Sequence, residues 1–156
     1  NIKIMLNTNY KEIIDQLHYE TLFYTGPTDE FYDYKHGKLS YRSIQFQFET
    51  LDKNEFQEAP VVNYPNDYDY TRITEFKKLT WQDHKKTTIC KEFPCSDGEP
   101  YYPFPTKDCK AMFALYEEDM KKEKNVVFLG RLAEYRYYNM DAVVRRALDV
   151  FGCRCQ

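Results

Sequence analysis

The segment Gly130-Arg131-Leu132-Ala133-Glu134-Tyr135-Arg136-Tyr137-Tyr138-Asn139-Met140 sets two arginines and three tyrosines into eleven residues. A guanidinium is a planar fork that matches phosphate oxygens, and phenols add hydroxyl donors. The segment follows a short apolar run, Val126 to Leu129, and leads directly into an amphipathic one. A strand that feeds a polar turn into a helix N-terminus presents backbone N–H groups to a phosphate. These types and this order point to a phosphorylated ligand. Yet no glycine-rich phosphate loop occurs in the 156 residues. Part of such a site is therefore expected from elsewhere, and Asn1 reads as a boundary within a longer protein.

Other candidates carry compatible chemistry. Arg42 opens the clearest strand pattern, where a surface charge is also common. Arg72, in Tyr70-Thr71-Arg72-Ile73, sits inside a predicted strand beside tyrosine, a setting suited to an anion ligand. Glu99-Pro100-Tyr101-Tyr102-Pro103 is an extended segment whose prolines hold two tyrosines at low entropic cost, or simply a packed loop. His18, His36 and His84 are scattered and have no acid or nucleophile partner in the pattern. No Ser-His-Asp, Cys-His or paired-carboxylate arrangement is readable. Arginines and tyrosines without a general base imply that any chemistry resides on a cofactor.

The elements that must position these residues follow from periodicity. Ile2 to Met5 reads as a strand, Tyr10 to Leu17 as a helix and Thr21 to Tyr24 as a second strand, together one α/β corner. Thr28 to Lys35 suits a helical turn. Ser43 to Glu49 alternates polar and apolar, which puts Ile44, Phe46 and Phe48 on one strand face. Pro60 to Tyr64, Tyr70 to Leu79 and Thr87 to Phe93 continue in strand character, with turn chemistry at Pro65-Asn66-Asp67. Strands in series with short turns predict an antiparallel sheet. Thr106 is placed to cap a helix carrying Met112, Leu115, Tyr116 and Met120. Val126 to Leu129 reads as a buried strand. A last helix carries Met140, Val143, Val144, Ala147, Leu148 and Phe151 on one stripe, capped by Asn139 and ended at Gly152.

Composition bounds the rest. Hydrophobic residues make up 42% and charged ones 30%, a globular composition with room for a core. The net charge of −3 argues against a nucleic-acid surface. No apolar run approaches the roughly 20 residues of a membrane span. Cys90, Cys95, Cys109, Cys153 and Cys155 are odd in number and fit no zinc spacing, so reduced thiols and a cytoplasmic setting are expected. Fifteen tyrosines give rigid amphipathic surface for a sugar or a flavin, and serve equally as sheet filler. No metal is expected.

Six motifs appear in order: Tyr24-Thr25-Gly26-Pro27, Leu39-Ser40-Tyr41-Arg42-Ser43, Val62-Asn63-Tyr64, Tyr70-Thr71-Arg72-Ile73, Glu99 to Pro103, and Gly130 to Met140. This series resembles bacterial UDP-galactopyranose mutase over nearly the whole chain. The resemblance implies an α+β fold: a twisted antiparallel sheet domain over 28–105, flanked by α/β pieces of an incomplete, Rossmann-like FAD-binding domain at 1–27 and 106–156. It implies an FAD-dependent isomerase that interconverts UDP-galactopyranose and UDP-galactofuranose for surface polysaccharide. The family's glycine-rich fingerprint and its helical, uridine-binding domain have no counterpart here, so the chain alone is expected to be inactive.

By position, the resemblance places Arg42 near the flavin ring, Arg131 on FAD and Met140 at the helix start that donates to the cofactor. Asn63 approaches the substrate or flavin. Tyr102 stands beside the sugar. Arg72 and Tyr137 converge on the substrate diphosphate. Two positions depart from the family pattern: Asn139 stands where aspartate is usual, and Phe76 replaces a histidine. A nucleotide-sugar or carbohydrate-binding module without chemistry is the alternative, and a homo-oligomer stays open.

Overall fold

The computed structural model describes residues 2–154. Asn1 and Cys155 lie outside the described residues. The fold is α+β, with a five-stranded antiparallel sheet and a two-stranded parallel one. The large sheet holds β2 (Tyr41–Leu51), β3 (Val61–Asn63), β4 (Arg72–Glu75), β5 (Thr87–Cys95) and β6 (Tyr102–Pro103), in the order β3-β4-β5-β2-β6. The small sheet pairs β1 (Leu22–Tyr24) with β7 (Val126–Phe128). The helices are α1 (Tyr10–Ile13), α2 (Thr28–Phe31), α3 (Phe76–Thr80), α4 (Lys107–Met120) and α5 (Met140–Arg154), with a 3-10 turn at Ile14–Gln16.

The alternation along β2 does what its period requires. β2 and β5 pair in unbroken register from Ser43↔Cys95 to Leu51↔Thr87. One sheet face carries Ile73, Ile89 and Glu75, each at most 1% exposed. The other carries Phe46 and Phe48, both exposed. Two apolar clusters tie the sheet to the remainder. Leu39, Cys109, Tyr116 and Tyr135 form one, with Tyr41, Met112 and Phe113 against them. Tyr24, Phe128 and Ala133 form the other, under Tyr10, Phe31 and Met120. Thr106 caps α4 by accepting from the Cys109 amide at 3.2 Å.

Several sequence expectations need correction. Ile2 to Met5 forms no strand and is exposed. Its residues join neither strand of the small sheet, in which β1 pairs with β7. The run from Tyr70 to Leu79 is a strand only over Arg72–Glu75 and then turns into α3. Lys77, Lys78 and Leu79 are good helix formers, and local propensity wins once the ladder ends. Gly152 does not end the last helix, which runs on to Arg154. The stripe on α5 exists, but Met140, Val144, Leu148 and Phe151 are exposed. His36 serves structure: its Nε2 lies 2.7 Å from Asp119, which also takes Lys35 and Lys122. Bonds from Lys122, Lys35 and His36 hold that carboxyl far below the usual range. Cys90, Cys95, Cys109 and Cys153 are free thiols.

The clearest buried polar device is Glu75. Its carboxylate accepts from the Phe56 amide at 3.0 Å, the Gln57 amide at 3.0 Å and the Thr87 hydroxyl at 2.7 Å. The loop after β2 is thereby bolted to β4 and β5. Burial pushes the carboxyl pKa up, but the bonds from Thr87, Gln57 and Phe56, with Lys78 nearby, outweigh it and leave the value below the ordinary 4.5. A folded value below the unfolded one gives stability that is complete above 4.5 and is lost as pH falls through the lowered value. Glu75→Ala orphans three buried donors and is expected to cost about 2–4 kcal/mol in urea unfolding. Glu75→Gln is expected to flatten the fall of unfolding free energy on acidification, read as the midpoint in urea titrations at stepped pH.

Candidate functional site

The register of the large sheet decides which candidate residues share a face. Directly opposed residues of an antiparallel pair point to the same side, and so do every second residue along a strand. Arg42 opposes Tyr102. Phe46 opposes Glu92, Glu92 opposes Arg72, and Arg72 opposes Asn63. Arg42 and Phe46 are separated by four residues, so all six side chains project from one face. Phe46 and Phe48 are exposed on this face, where Cys90 is buried, and Ile73 and Ile89 lie on the opposite one.

Two groups form on that face. At the β3–β4 corner, the Arg72 Nε donates to Asn63 Oδ1 at 3.0 Å, and its Nη1 lies 3.6 Å from Glu92 Oε2. Two partners on neighbouring strands thus aim one guanidinium. At the β6 end, Arg42, Tyr102, Pro103, Phe104 and Tyr137 line a hollow of about 290 Å³. The rings of Tyr102 and Tyr137 lie 6.2 Å apart. The Arg131 guanidinium sits 5.3 Å from the Tyr102 ring centre and 5.6 Å from that of Tyr137. Arg42 covers the Phe104 ring at 4.7 Å. Cations over aromatic faces at this range attract, and the stacking fixes their orientation. Tyr137 is 62% exposed, so its hydroxyl end is open to a ligand.

The two groups do not touch. With strands about 4.8 Å apart and about 3.3 Å per residue, Arg72 and Arg42 start about 16 Å from one another across the sheet. Arg72 and Tyr137 therefore occupy two ends of one face rather than a common contact. Met140 begins α5 and is exposed, with no part in either group.

The turn after β7 is held from behind. Gly130 has φ +99, and its amide donates to Glu134 Oε2 at 3.0 Å. The other oxygen of Glu134 accepts from Arg146 Nε at 2.8 Å, which fastens the turn to α5. Arg131 Nε donates to the Tyr138 carbonyl at 2.7 Å. Tyr135 is buried in the left-handed region, φ 43, and its hydroxyl lies 2.8 Å from the Ser40 carbonyl and 3.1 Å from that of Phe104. One phenol thus joins the turn to the start of β2 and to the segment after β6, the two flanks of the hollow.

Sequence reasoning assigned no role to Glu92, Glu134 or Tyr135. Glu92 left no usable signal, since its strand does not alternate in polarity and its place opposite Arg72 is set by register. Glu134 and Tyr135 left none either: Glu134 ties the Gly130 amide to Arg146, 12 residues on, and the Tyr135 partners lie 31 and 95 residues away. Among the described residues no cluster of His, Cys, Asp or Glu fits a metal ion, and no helix is long and apolar enough to cross a membrane. Replacing Tyr135 by Phe strips a buried hydroxyl bond, while the Ser40 and Phe104 carbonyls keep the Phe104 and Thr106 amides. A loss of about 1–2 kcal/mol is expected in thermal or urea unfolding, with the secondary structure unchanged by circular dichroism.

Comparison with known proteins agrees with this arrangement. A family model for UDP-galactopyranose mutase matches residues 1–137. The dTDP-fucopyranose mutase of Escherichia coli is 38% identical over 144 residues, 89% of this chain and 38% of that protein. A probable UDP-galactopyranose mutase of Klebsiella pneumoniae is 39% identical over 135 residues, 83% of this chain and 35% of that protein. The UDP-galactopyranose mutase of Mycoplasma pneumoniae is 32% identical over 154 residues, 93% of this chain and 39% of that protein. The chain thus spans rather more than a third of the length of the curated relatives it matches. With a family model over most of its length and relatives at 32–39% identity along it, the chain belongs to the UDP-galactopyranose mutase family.

Proposed function

We propose that the chain is the sheet-bearing and closing portion of a flavin-dependent mutase that interconverts UDP-galactopyranose and UDP-galactofuranose. The supporting observation is the sheet register, which gives Arg42, Tyr102, Asn63 and Arg72 one common face. In this reading 28–105 is the domain facing substrate and flavin, and 1–27 with 106–156 complete the FAD-binding domain. The E. coli relative named for dTDP-fucopyranose widens the class to nucleoside-diphosphate hexopyranoses. Nothing in Arg72 or Tyr137 discriminates the base, since both would address the diphosphate common to the two substrates.

The residues present suit FAD. Gly130 lies in the left-handed region that glycine alone adopts freely, and a β-carbon there would meet nothing within 4 Å. Arg131, braced between two tyrosine rings, offers the fork that phosphate oxygens fit. Arg42 and Tyr102 would flank the flavin ring, and the first turn of α5 at Met140 would donate backbone N–H groups. What FAD supplies, when bound in its reduced form, is a nucleophile for the anomeric carbon without net redox change.

The protein's own residues then orient and stabilise. Tyr102 would hold the sugar in place, with Asn63 at the opposite corner. Arg72 would hold the diphosphate as negative charge grows on it, joined by Tyr137 from across the face. Such charge stabilisation counts most when the donors are already aimed, as Asn63 and Glu92 aim Arg72. In the protein that contains this chain, Arg72→Ala is expected to lower turnover by roughly 10- to 150-fold, the worth of one charged hydrogen bond in the transition state. FAD absorbance of the purified variant should match that of the parent. Parental turnover would remove Arg72 from the mechanism.

A further inference from the structure

At the other end of the sheet, nine residues or about 30 Å along β2 from Arg42, lies a cleft of about 480 Å³ whose walls include Trp81. Trp81 is the chain's single tryptophan and is 91% exposed. It also ends α3 in the left-handed region, with φ 56 and ψ 32. That conformation is ordinary for glycine or asparagine and strained for a bulky residue. The large exposed ring gains nothing from the core, and a smaller residue would end the helix with less strain. Strain of this kind, left in place on an open surface, marks a functional position.

The cleft is built before any ligand arrives. Lys77 Nζ donates to the Asn54 carbonyl at 2.9 Å, to its Oδ1 at 2.6 Å, and to the His84 carbonyl. Lys78 Nζ donates to Glu55 at 3.1 Å and to the Glu58 carbonyl at 3.2 Å. Beneath them, Glu75 pins Phe56 and Gln57. None of these bonds uses the Glu58, Gln82 or Asp83 side chains, which line the same cleft as Trp81.

We propose that this cleft is a carbohydrate-binding site, with Trp81 as the platform for one sugar ring. The apolar face of a hexose lies flat on an aromatic ring, and its rim of hydroxyls needs mixed donors and acceptors. Glu58 and Asp83 accept, Gln82 does both, and Lys78 keeps one proton to donate, whereas Lys77 spends its three on Asn54 and His84. With Glu55 paired to Lys78, the lining keeps two carboxylates, Glu58 and Asp83, against Lys77, and is slightly acidic. That charge disfavours an anionic ligand, and carboxylate and amide acceptors around an exposed ring suit the hydroxyl rim of a neutral sugar. The site is separate from the Arg42–Tyr137 face and stands whether or not the mutase reading holds.

The test uses the tryptophan as its own reporter. Titration of the 156-residue chain with galactotriose, and in parallel with maltotriose, is expected to shift Trp81 emission saturably for at least one. Glu58→Ala and Asp83→Ala, which keep the fluorophore, should each weaken that binding about tenfold, as for a lost hydrogen bond to a charged group. Trp81→Gly, followed by saturation-transfer NMR on the sugar protons, should lose binding while its melting temperature stays equal or rises, because the strain is removed. No saturable response to either sugar would overturn the proposal. So would retained binding in Trp81→Gly, a response to an arginine-rich peptide in place of the sugars, or an emission change that tracks protein concentration alone.

Discussion

The hydroxyl of Tyr135 is the point on which the candidate face depends. It joins three segments distant in sequence: the turn after β7, the strand entry at Ser40 and the exit of β6 at Phe104. Around it, Tyr41 meets the ring edge-on at 5.4 Å and Phe113 packs at 5.2 Å. A buried phenol with satisfied polar ends is stable only if all three segments arrive together. The unusual backbone of Tyr135 is tolerated because this surrounding structure over-determines it. Everything that turns Arg131 and Tyr137 toward Tyr102 follows from that junction.

A second constraint is the continuity of the β2–β5 ladder. The pairing period is two, so a one-residue slip would send Arg72, Glu92 and Phe46 to the buried face and Ile73 and Ile89 to solvent. Burial of Ile73, Glu75 and Ile89 holds β4 against β5, and β2, exposed on both faces over 45–50, follows through its ladder with β5. The polar residues on the exposed face need not pair well with each other to stay in place. Arg72 is nonetheless held by Asn63 and Glu92, which lowers its freedom before any ligand binds.

Glu75 and Glu134 do for loops what the ladder does for strands. Each is a carboxylate that takes bonds from two directions, the first from a loop and a strand, the second from a turn and a helix. Both lie at places where the chain leaves regular structure and its backbone groups must find other partners. The two clefts, one beside Tyr137 and one beside Trp81, sit on opposite ends of the sheet and are shaped by these two carboxylate joints.

Local patterns made much of this legible. The alternation from Ser43 to Glu49, the cap at Thr106 and the strand at Val126 each depend on neighbours within a few residues, and each appears in the structure. The ordered motifs likewise marked the family, because residue identity along the chain is all they require. The misreadings share one cause. Ile2 to Met5 has strand composition but joins no sheet, Leu79 belongs to a helix begun only when β4 runs out, and the stripe on α5 is real but exposed. Composition reports what a segment tolerates, whereas pairing and cover depend on what comes to lie beside it. The sequence by itself determined the element types, the chemistry of the candidate side chains and the family. Only the tertiary structure decided that Arg42, Tyr102, Arg72 and Asn63 share a face, that Glu92 and Tyr135 position them, and that Arg72 and Tyr137 stand apart, since each rests on contacts between segments whose separation no local rule encodes.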